Sequence, residues 1–275
     1  MTDQAALLRA MMAARRPDPA EPTGPPAIVV GSGKGGVGKS VVSVLLAQRL
    51  AQDGRRVLLV DGSQNMGNLH VLLGVQRSHR LEHLLQDAVS PRDLLVPVTD
   101  QLMLLPADSG AESLYAMSAV DRARLHHRLS GLYDDFDAVI IDAGPGLESV
   151  VRVATMRATR CIVLAAPEPA ALTDAYATIK IVHGQVHDLP VDVLVNRIYA
   201  EREGPETFER LETAAERFLH RELRYLGAVW EDEHIRRAVR TPGLLLQGLQ
   251  AGPNHDVLSA AVERLDLPAP ARLVG

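Results

Sequence analysis

The stretch Ala27-Ile28-Val29-Val30-Gly31-Ser32-Gly33-Lys34-Gly35-Gly36-Val37-Gly38-Lys39-Ser40 decides the fold. Its first four residues are an apolar run of strand length. Gly33 to Ser40 fits the pattern G-x-x-x-x-G-K-[ST], and a helical stretch, Lys39–Gln52, follows at once. Strand, glycine-rich loop and helix in that order make a phosphate-binding loop. The glycines permit tight turns and bring backbone N–H groups close to phosphate oxygens. The helix N-terminus adds a partial positive charge. The pattern assigns Lys39 to the β- and γ-phosphates of a nucleotide and Ser40 to Mg2+. Lysine usage agrees. Of 29 Lys and Arg residues only Lys34, Lys39 and Lys180 are lysine, and two of these stand in this loop. A compact ammonium serves there where a planar guanidinium would not.

The same alternation continues outward from the loop. Short apolar runs predict buried strands at Val57–Val60, Leu102–Leu105, Ala138–Ile141, Cys161–Ala165, Val191–Val195 and Tyr225–Val229. Longer stretches predict helices at Ala119–Tyr133, Glu148–Arg157, Ala170–His187, Pro205–His220 and Asp232–Val239. Strands that are apolar throughout are covered on both faces, and strands separated by helices run parallel. The expected fold is therefore α/β, a single doubly wound, mostly parallel sheet with helices on both faces. Two of these strands end in a carboxylate, Asp61 and Asp142. The C-terminal edge of such a sheet is where ligands bind, so both join Ser40 as expected ligands of Mg2+ or its water.

Composition narrows the class of protein. A hydrophobic fraction of 47% against 23% charged residues is that of a globular chain and excludes wholesale disorder. A net charge of −5 argues against a strongly basic nucleic-acid binder. The single Cys161 excludes an internal disulfide framework and reads as an inert core thiol. No apolar run reaches the ~18 residues of a membrane span, and Arg9 and Asp3 break any signal-peptide pattern, so a cytoplasmic protein is expected. His126 and His127 have no acidic or cysteine partner at metal-ligand spacing. Residues 1–26 stand apart: Met1–Arg16 is a short helical candidate with Ala5, Leu8 and Met12 on one face, and Pro17–Pro26 is a Pro-rich linker. Such a segment suits a peptide that folds on a partner.

Lys34 distinguishes the loop. Lys34 to Ser40 resembles the deviant Walker A motif of the MinD/ParA ATPases. In that family the first lysine crosses to the nucleotide of a second subunit. Asp61 with Gly67 to Gly74 is similar to the family's first switch and the helix after it, and Asp142 to Gly146 to its second switch. Pro167-Glu168-Pro169 with Thr173 to Tyr176 resembles a stretch of the flagellar and MinD branches, and Asn196 stands where the family reads adenine. At the N-terminus, Asp3 to Arg9 is similar to the D-Q-A-x-x-L-R peptide with which the FlhG (FleN) branch activates the flagellar GTPase FlhF. The resemblance implies ATP or ADP with Mg2+ as cofactors. The implied nucleotide-binding set is Gly33, Lys34, Gly35, Gly36, Val37, Gly38, Lys39, Ser40, Val41 and Asn196. Lys34 and Lys39 are the implied catalytic pair, and Ser40, Asp61 and Asp142 the metal set.

What the resemblance implies is an ATP-dependent regulator of flagellar number and placement. Residues 1–26 would activate the GTPase through Asp3, Gln4 and Arg9, and residues 27–275 would be the ATPase domain. It would form a homodimer when ATP-bound, with a transcription activator as a further partner and recruitment to the cell pole. Two departures qualify this. The family carries Asp-x-Asp at the first switch, its second Asp orienting the attacking water, and here the triplet is Asp61-Gly62-Ser63, which implies weak hydrolysis. The family's C-terminal membrane helix is basic and amphipathic, and Val257–Leu267 is neither, which argues against membrane attachment. Two alternatives remain open: a ParA-type DNA- or cargo-partitioning ATPase, with Arg152, Arg157, Arg160, Arg236, Arg237 and Arg240 as a basic surface, and a pseudo-ATPase scaffold that binds ATP without efficient hydrolysis.

Overall fold

Continuous Val, Leu and Ile runs have no polar face to show to water, so they bury both faces. In the computed structural model they do so in one eight-stranded sheet of order β3-β4-β2-β5-β1-β6-β7-β8. The structure describes residues 24–63, 67–79, 83–84, 89–107, 128–129, 131–144, 146, 150, 158–247 and 251–270. The strands are β1 (Ala27–Gly31), β2 (Val57–Gly62), β3 (Val96–Pro97), β4 (Leu102–Leu105), β5 (Ala138–Ala143), β6 (Arg160–Ala165), β7 (Val191–Ile198) and β8 (Arg224–Trp230). All pairings are parallel except that of β3 with β4. All seven expected strands are present. The short antiparallel edge strand β3 is an addition.

Side chains alternate between two cores. Ile28, Val30, Leu59, Ile140 and Ile162 belong to one cluster, and Val29, Leu58, Val139, Ile141 and Val163 to the other. The first is covered by α1 (Lys39–Gln52), α2 (Leu69–Leu73) and two elements near the C-terminus. These are α5 (Glu233–Arg240) and α6 (Pro253–Arg264). Helices α3 (Pro169–Gln185) and α4 (Glu203–Leu219) cover the second. α1 is apolar nearly all round, with Val42, Val44, Leu45, Leu46, Ala47 and Leu50 buried, as a helix enclosed by sheet and neighbours must be. The helices expected at Lys39–Gln52, Ala170–His187, Pro205–His220 and Asp232–Val239 are found to within a few residues. Those expected at Met1–Arg16, Ala119–Tyr133 and Glu148–Arg157, and most of the linker, lie largely outside the described residues, as do His126 and His127.

The last described helix packs on the sheet. α6 ends at Arg264, earlier than expected, and Leu258, Ala261, Val262 and Leu265 are buried in the first core. Its apolar residues are therefore spent on packing. Arg55 donates hydrogen bonds to the carbonyls of Leu267 and Pro268, holding the chain after α6 against the start of β2. Among the described residues no helix is long and apolar enough to cross a membrane.

Candidate nucleotide-binding site

The site is assembled at the C-terminal edge of the sheet, where β1, β2, β5 and β7 end. β1 delivers the chain into the glycine loop, and α1 leaves it. Gly38 is the N-cap of α1 with φ 96°, and Gly36 has φ 84°, left-handed values that disfavour any residue with a Cβ. Gly33 is needed for space instead: a Cβ there would lie 2.4 Å from the carbonyl oxygen of Asp174 in the second turn of α3. The Ser32 hydroxyl donates to the Lys34 carbonyl at 2.7 Å, which ties the turn that presents Lys34. Lys34, Gly35 and Gly36 are exposed, and a Cβ on Gly35 or Gly36 would meet nothing within 4 Å, so the loop faces open space. The first bond of α1 runs from the Val42 N–H to the Gly38 carbonyl at 3.0 Å. The N–H groups of Lys39, Ser40 and Val41 precede it and form the helix's anion-accepting end. The Val41 side chain packs on the core, so its N–H is what it offers.

Below the loop lies an oxygen-rich cluster. The Ser40 hydroxyl donates to Asp142 Oδ2 at 2.6 Å, and the Ser43 hydroxyl to Oδ1 at 3.4 Å. Asp61 stands in register with Asp142 on the neighbouring strand. The N–H groups of Ser63 and Leu69 donate to the two oxygens of Asp61 at 3.1 and 3.2 Å. Asp61 therefore fixes both the chain leaving β2 and the first turn of α2. Asp142 is 2% exposed. Burial pushes its carboxyl up to about 6, and the Asp61 charge adds to this, against the hydroxyl bonds of Ser40 and Ser43 and the charge of Lys39. Lys39 is itself buried, and that burial lowers its pKa despite the pull of Asp142. Two buried carboxylates beside one desolvated ammonium make a site short of positive charge. Its ligands are all hard oxygens, so the residues fit a Mg2+ ion.

Every expected residue of the site that falls within the described part is at this edge. Asn196, from β7, is buried, and its Nδ2 donates to the Val37 carbonyl at 2.7 Å. Two participants were not anticipated. Ser43 sits three residues after Ser40 and so on the same helix face, the one signal that could have found it. Asp174 abuts Gly33 only through its backbone, which no side-chain pattern announces.

Of the arginines suggested as a basic surface, Arg160, Arg236 and Arg237 form ion pairs, and Arg240 is exposed at the end of α5. Arg160 and Arg224 both pair with Asp192, at 3.2 and 2.9 Å, at the opposite edge of the sheet. Arg236 pairs with Glu231 and Glu233, and Arg237 with Glu233. Arg152 and Arg157 lie outside the described residues. Cys161 is fully buried, and that burial pushes its thiol up to about 12, which makes it inert.

Comparison with known proteins agrees with this geometry. A family model described as an AAA domain (AAA_31) matches residues 26–189. The antiactivator FleN of Pseudomonas aeruginosa is 32% identical over 245 residues, which are 89% of this chain and 88% of that protein. The flagellum site-determining protein YlxH of Helicobacter pylori is 32% identical over 240 residues, 86% of this chain and 79% of that protein. The structure of the septum site-determining protein MinD complexed with Mg-ADP, from Pyrococcus horikoshii, superimposes with a TM-score of 0.70 at 23% identity, covering 88% of this chain and 96% of that one. With the phosphate loop, the two strand-end carboxylates and these likenesses together, the chain belongs to the MinD/ParA family of P-loop ATPases, as an FlhG (FleN)-like member.

Proposed function

We propose that the chain is an ATP-dependent, dimerising regulator of flagellar number or placement. The observation that carries the nucleotide part is the 2.6 Å bond between Ser40 and Asp142, which joins the phosphate loop to the strand-end carboxylate. Two flagellar relatives, similar across most of their length, support the flagellar part. In this reading Ser40 and Asp142, with Asp61 beside them, hold Mg2+. The ion supplies charge neutralisation at the β- and γ-phosphates. The N–H groups at the start of α1 and the Lys39 ammonium bind the same phosphates from within the chain. Lys34, exposed on its tied turn, reaches the nucleotide of a second copy, so ATP drives face-to-face dimerisation and hydrolysis resets it. Ser63 offers no carboxylate to orient the attacking water, and turnover is slow.

The output is contact with partners. Asp3, Gln4 and Arg9 would engage a flagellar GTPase: an amide pairs with backbone, a guanidinium with carboxylate or phosphate. The word antiactivator in the name of the Pseudomonas relative supports a transcription activator as a further partner. The working place is the cytoplasm, with recruitment to the cell pole.

The test combines light scattering with GTPase stimulation. A slowly hydrolysed ATP analogue with Mg2+ gives a dimer and ADP a monomer. Deleting residues 1–16 leaves ATP affinity unchanged and removes stimulation of the GTPase. A monomer at saturating analogue, or full stimulation by the shortened chain, sinks the corresponding half of the reading.

A further inference from the structure

β7 does not run straight to its end. Its ladder with β8 slips between Asn196 and Ile198, and Arg197 between them has φ 65°. A left-handed backbone is costly for a residue with a Cβ and persists only where the surroundings impose it. Here they do. Arg197 Nε donates to Glu231 Oε2 at 2.8 Å, and the Glu231 N–H donates to the Ile198 carbonyl at 2.9 Å. A bulge of this kind re-aims the neighbouring side chain. The side chain next to it is Asn196.

Asn196 is 7% exposed, and its Nδ2 donates to the Val37 carbonyl at 2.7 Å across 159 residues of sequence. A Cβ on Gly38 would lie 2.4 Å from that same nitrogen, so amide and loop meet without a gap. The Val37–Gly38 peptide is where the loop turns into α1, whose first N–H groups face the phosphates. A residue that only reads a base has no need of this bond.

We propose that Asn196 is a positioning residue for the phosphate loop, aimed by the left-handed Arg197 and held there by Glu231, so that phosphate affinity depends on it whatever base the nucleotide carries. The proposal rests on the nucleotide-site reading above. Asn196→Asp replaces the donor with a carboxylate that repels the Val37 carbonyl. Asn196→Ala removes the donor without adding charge. Arg197→Val puts a β-branched residue where φ is positive, whereas Arg197→Gly accepts that conformation.

The experiment is calorimetry on the full chain with Mg2+ and each of ATP, GTP and inorganic tripolyphosphate, with melting temperatures of the free variants read in parallel. Asn196→Asp weakens all three ligands by about tenfold or more, the scale of an unmade buried hydrogen bond, and leaves the ATP-to-GTP ratio nearly unchanged. Asn196→Ala gives the same pattern more weakly, and keeps the test open should the Asp variant not fold. Arg197→Val weakens all three more than Arg197→Gly does. Loss of ATP affinity alone, with tripolyphosphate unaffected and base discrimination collapsed, marks Asn196 as a base reader and overturns the proposal. Equal affinities for the two Arg197 variants overturn the aiming role. If the wild-type chain binds none of the three, the nucleotide-site reading itself has failed, a result distinct from the other two.

Discussion

Replacing Asp142 by Asn exchanges a buried carboxylate for a neutral amide of nearly the same shape. In the free protein that carboxyl is pushed from 3.8 up to about 6, chiefly by burial and further by Asp61. A rise of this size corresponds to about 3 kcal/mol against the ionised form at neutral pH. Between pH 3.8 and 6 the folded state keeps the proton and the unfolded state has lost it. The stability of the protonated form is therefore fully present below 3.8 and is lost as the pH rises through 6. Asn carries no charge at any of these pH values. Its oxygen still accepts from Ser40, while its NH2 faces the Ser43 hydroxyl, which can accept. Allowing for weaker hydrogen bonds, Asp142→Asn makes the free protein more stable at pH 7.5 by about 1–3 kcal/mol, or about 2–4 °C in melting temperature per kcal/mol.

The assay is thermal unfolding of both proteins from pH 8 to pH 5, with and without Mg·ADP. The stability gap is flat above about pH 6.5 and has fallen to roughly half near pH 5, because one proton separates the two states across that range. Mg·ADP raises the melting temperature of the wild type and leaves the variant nearly unmoved, since the variant cannot offer a carboxylate to the ion. A wild type as stable as the variant at pH 7.5, or a gap that does not change with pH, would refute the account of Asp142 as a strained, charge-hungry ligand.

Lys39→Ala abolishes nucleotide binding in calorimetry, because the phosphates lose their buried counter-ion. Lys34→Ala binds ATP but stays monomeric by light scattering; a dimer as stable as the wild type's rules out the cross-subunit role. Ser63→Asp raises the single-turnover rate of ATP hydrolysis by about 10²-fold, the contribution of one positioned group, and shortens the dimer's life; an unchanged rate means that another group already orients the water. Arg160→Ala leaves Asp192 with Arg224 alone and destabilises the chain by about 1–3 kcal/mol in urea titration, without altering salt-dependent binding of random duplex DNA. A selective loss of DNA binding would revive the partitioning alternative.

The central strands were legible because burial on both faces leaves an unbroken apolar run, as in Ala138–Ile141. β3 was not. It has two residues, one of them Pro97, too few for any periodicity and placed at an edge where a missing N–H is tolerated. α2 spans only Leu69–Leu73, and its N-cap Asn68 makes no side-chain bond. What holds its first turn is the Asp61 carboxylate, from the end of β2. At the site, Lys39, Ser40 and Asp142 were legible because their chemistry is local to a loop or a strand end. The bond from Asn196 to Val37 was not, because its acceptor is a backbone carbonyl, which any residue could provide. Only the fold brings the two together.

Two buried aspartates show how the sheet divides its labour. Asp192 is the second residue of β7 and Asp142 the fifth of six in β5, so in a parallel sheet they lie at opposite edges. Asp192, 1% exposed, receives Arg160 from the start of β6 and Arg224 from the start of β8, each forming bonds to both of its oxygens. Its charge is matched by guanidiniums on the two flanking strands, Arg224 as a two-nitrogen fork and Arg160 through one nitrogen, and it stitches β6, β7 and β8 at one end. Asp142 is as deeply buried, but among the described residues its hydrogen-bond partners are two hydroxyls, with a second carboxylate beside it and a lysine whose own charge is poorly solvated. An arginine fork at that position would satisfy it and fill the place that the proposed reading gives to an ion. In the proposed reading this deficit would make the edge selective: a ligand that brings a divalent cation would settle Asp142 and Asp61, and its phosphates would settle Lys39 and the N–H groups of α1. A nucleotide without the cation would place more negative charge against two carboxylates. The same reasoning makes binding cooperative between metal and nucleotide, with each the counter-charge the other needs.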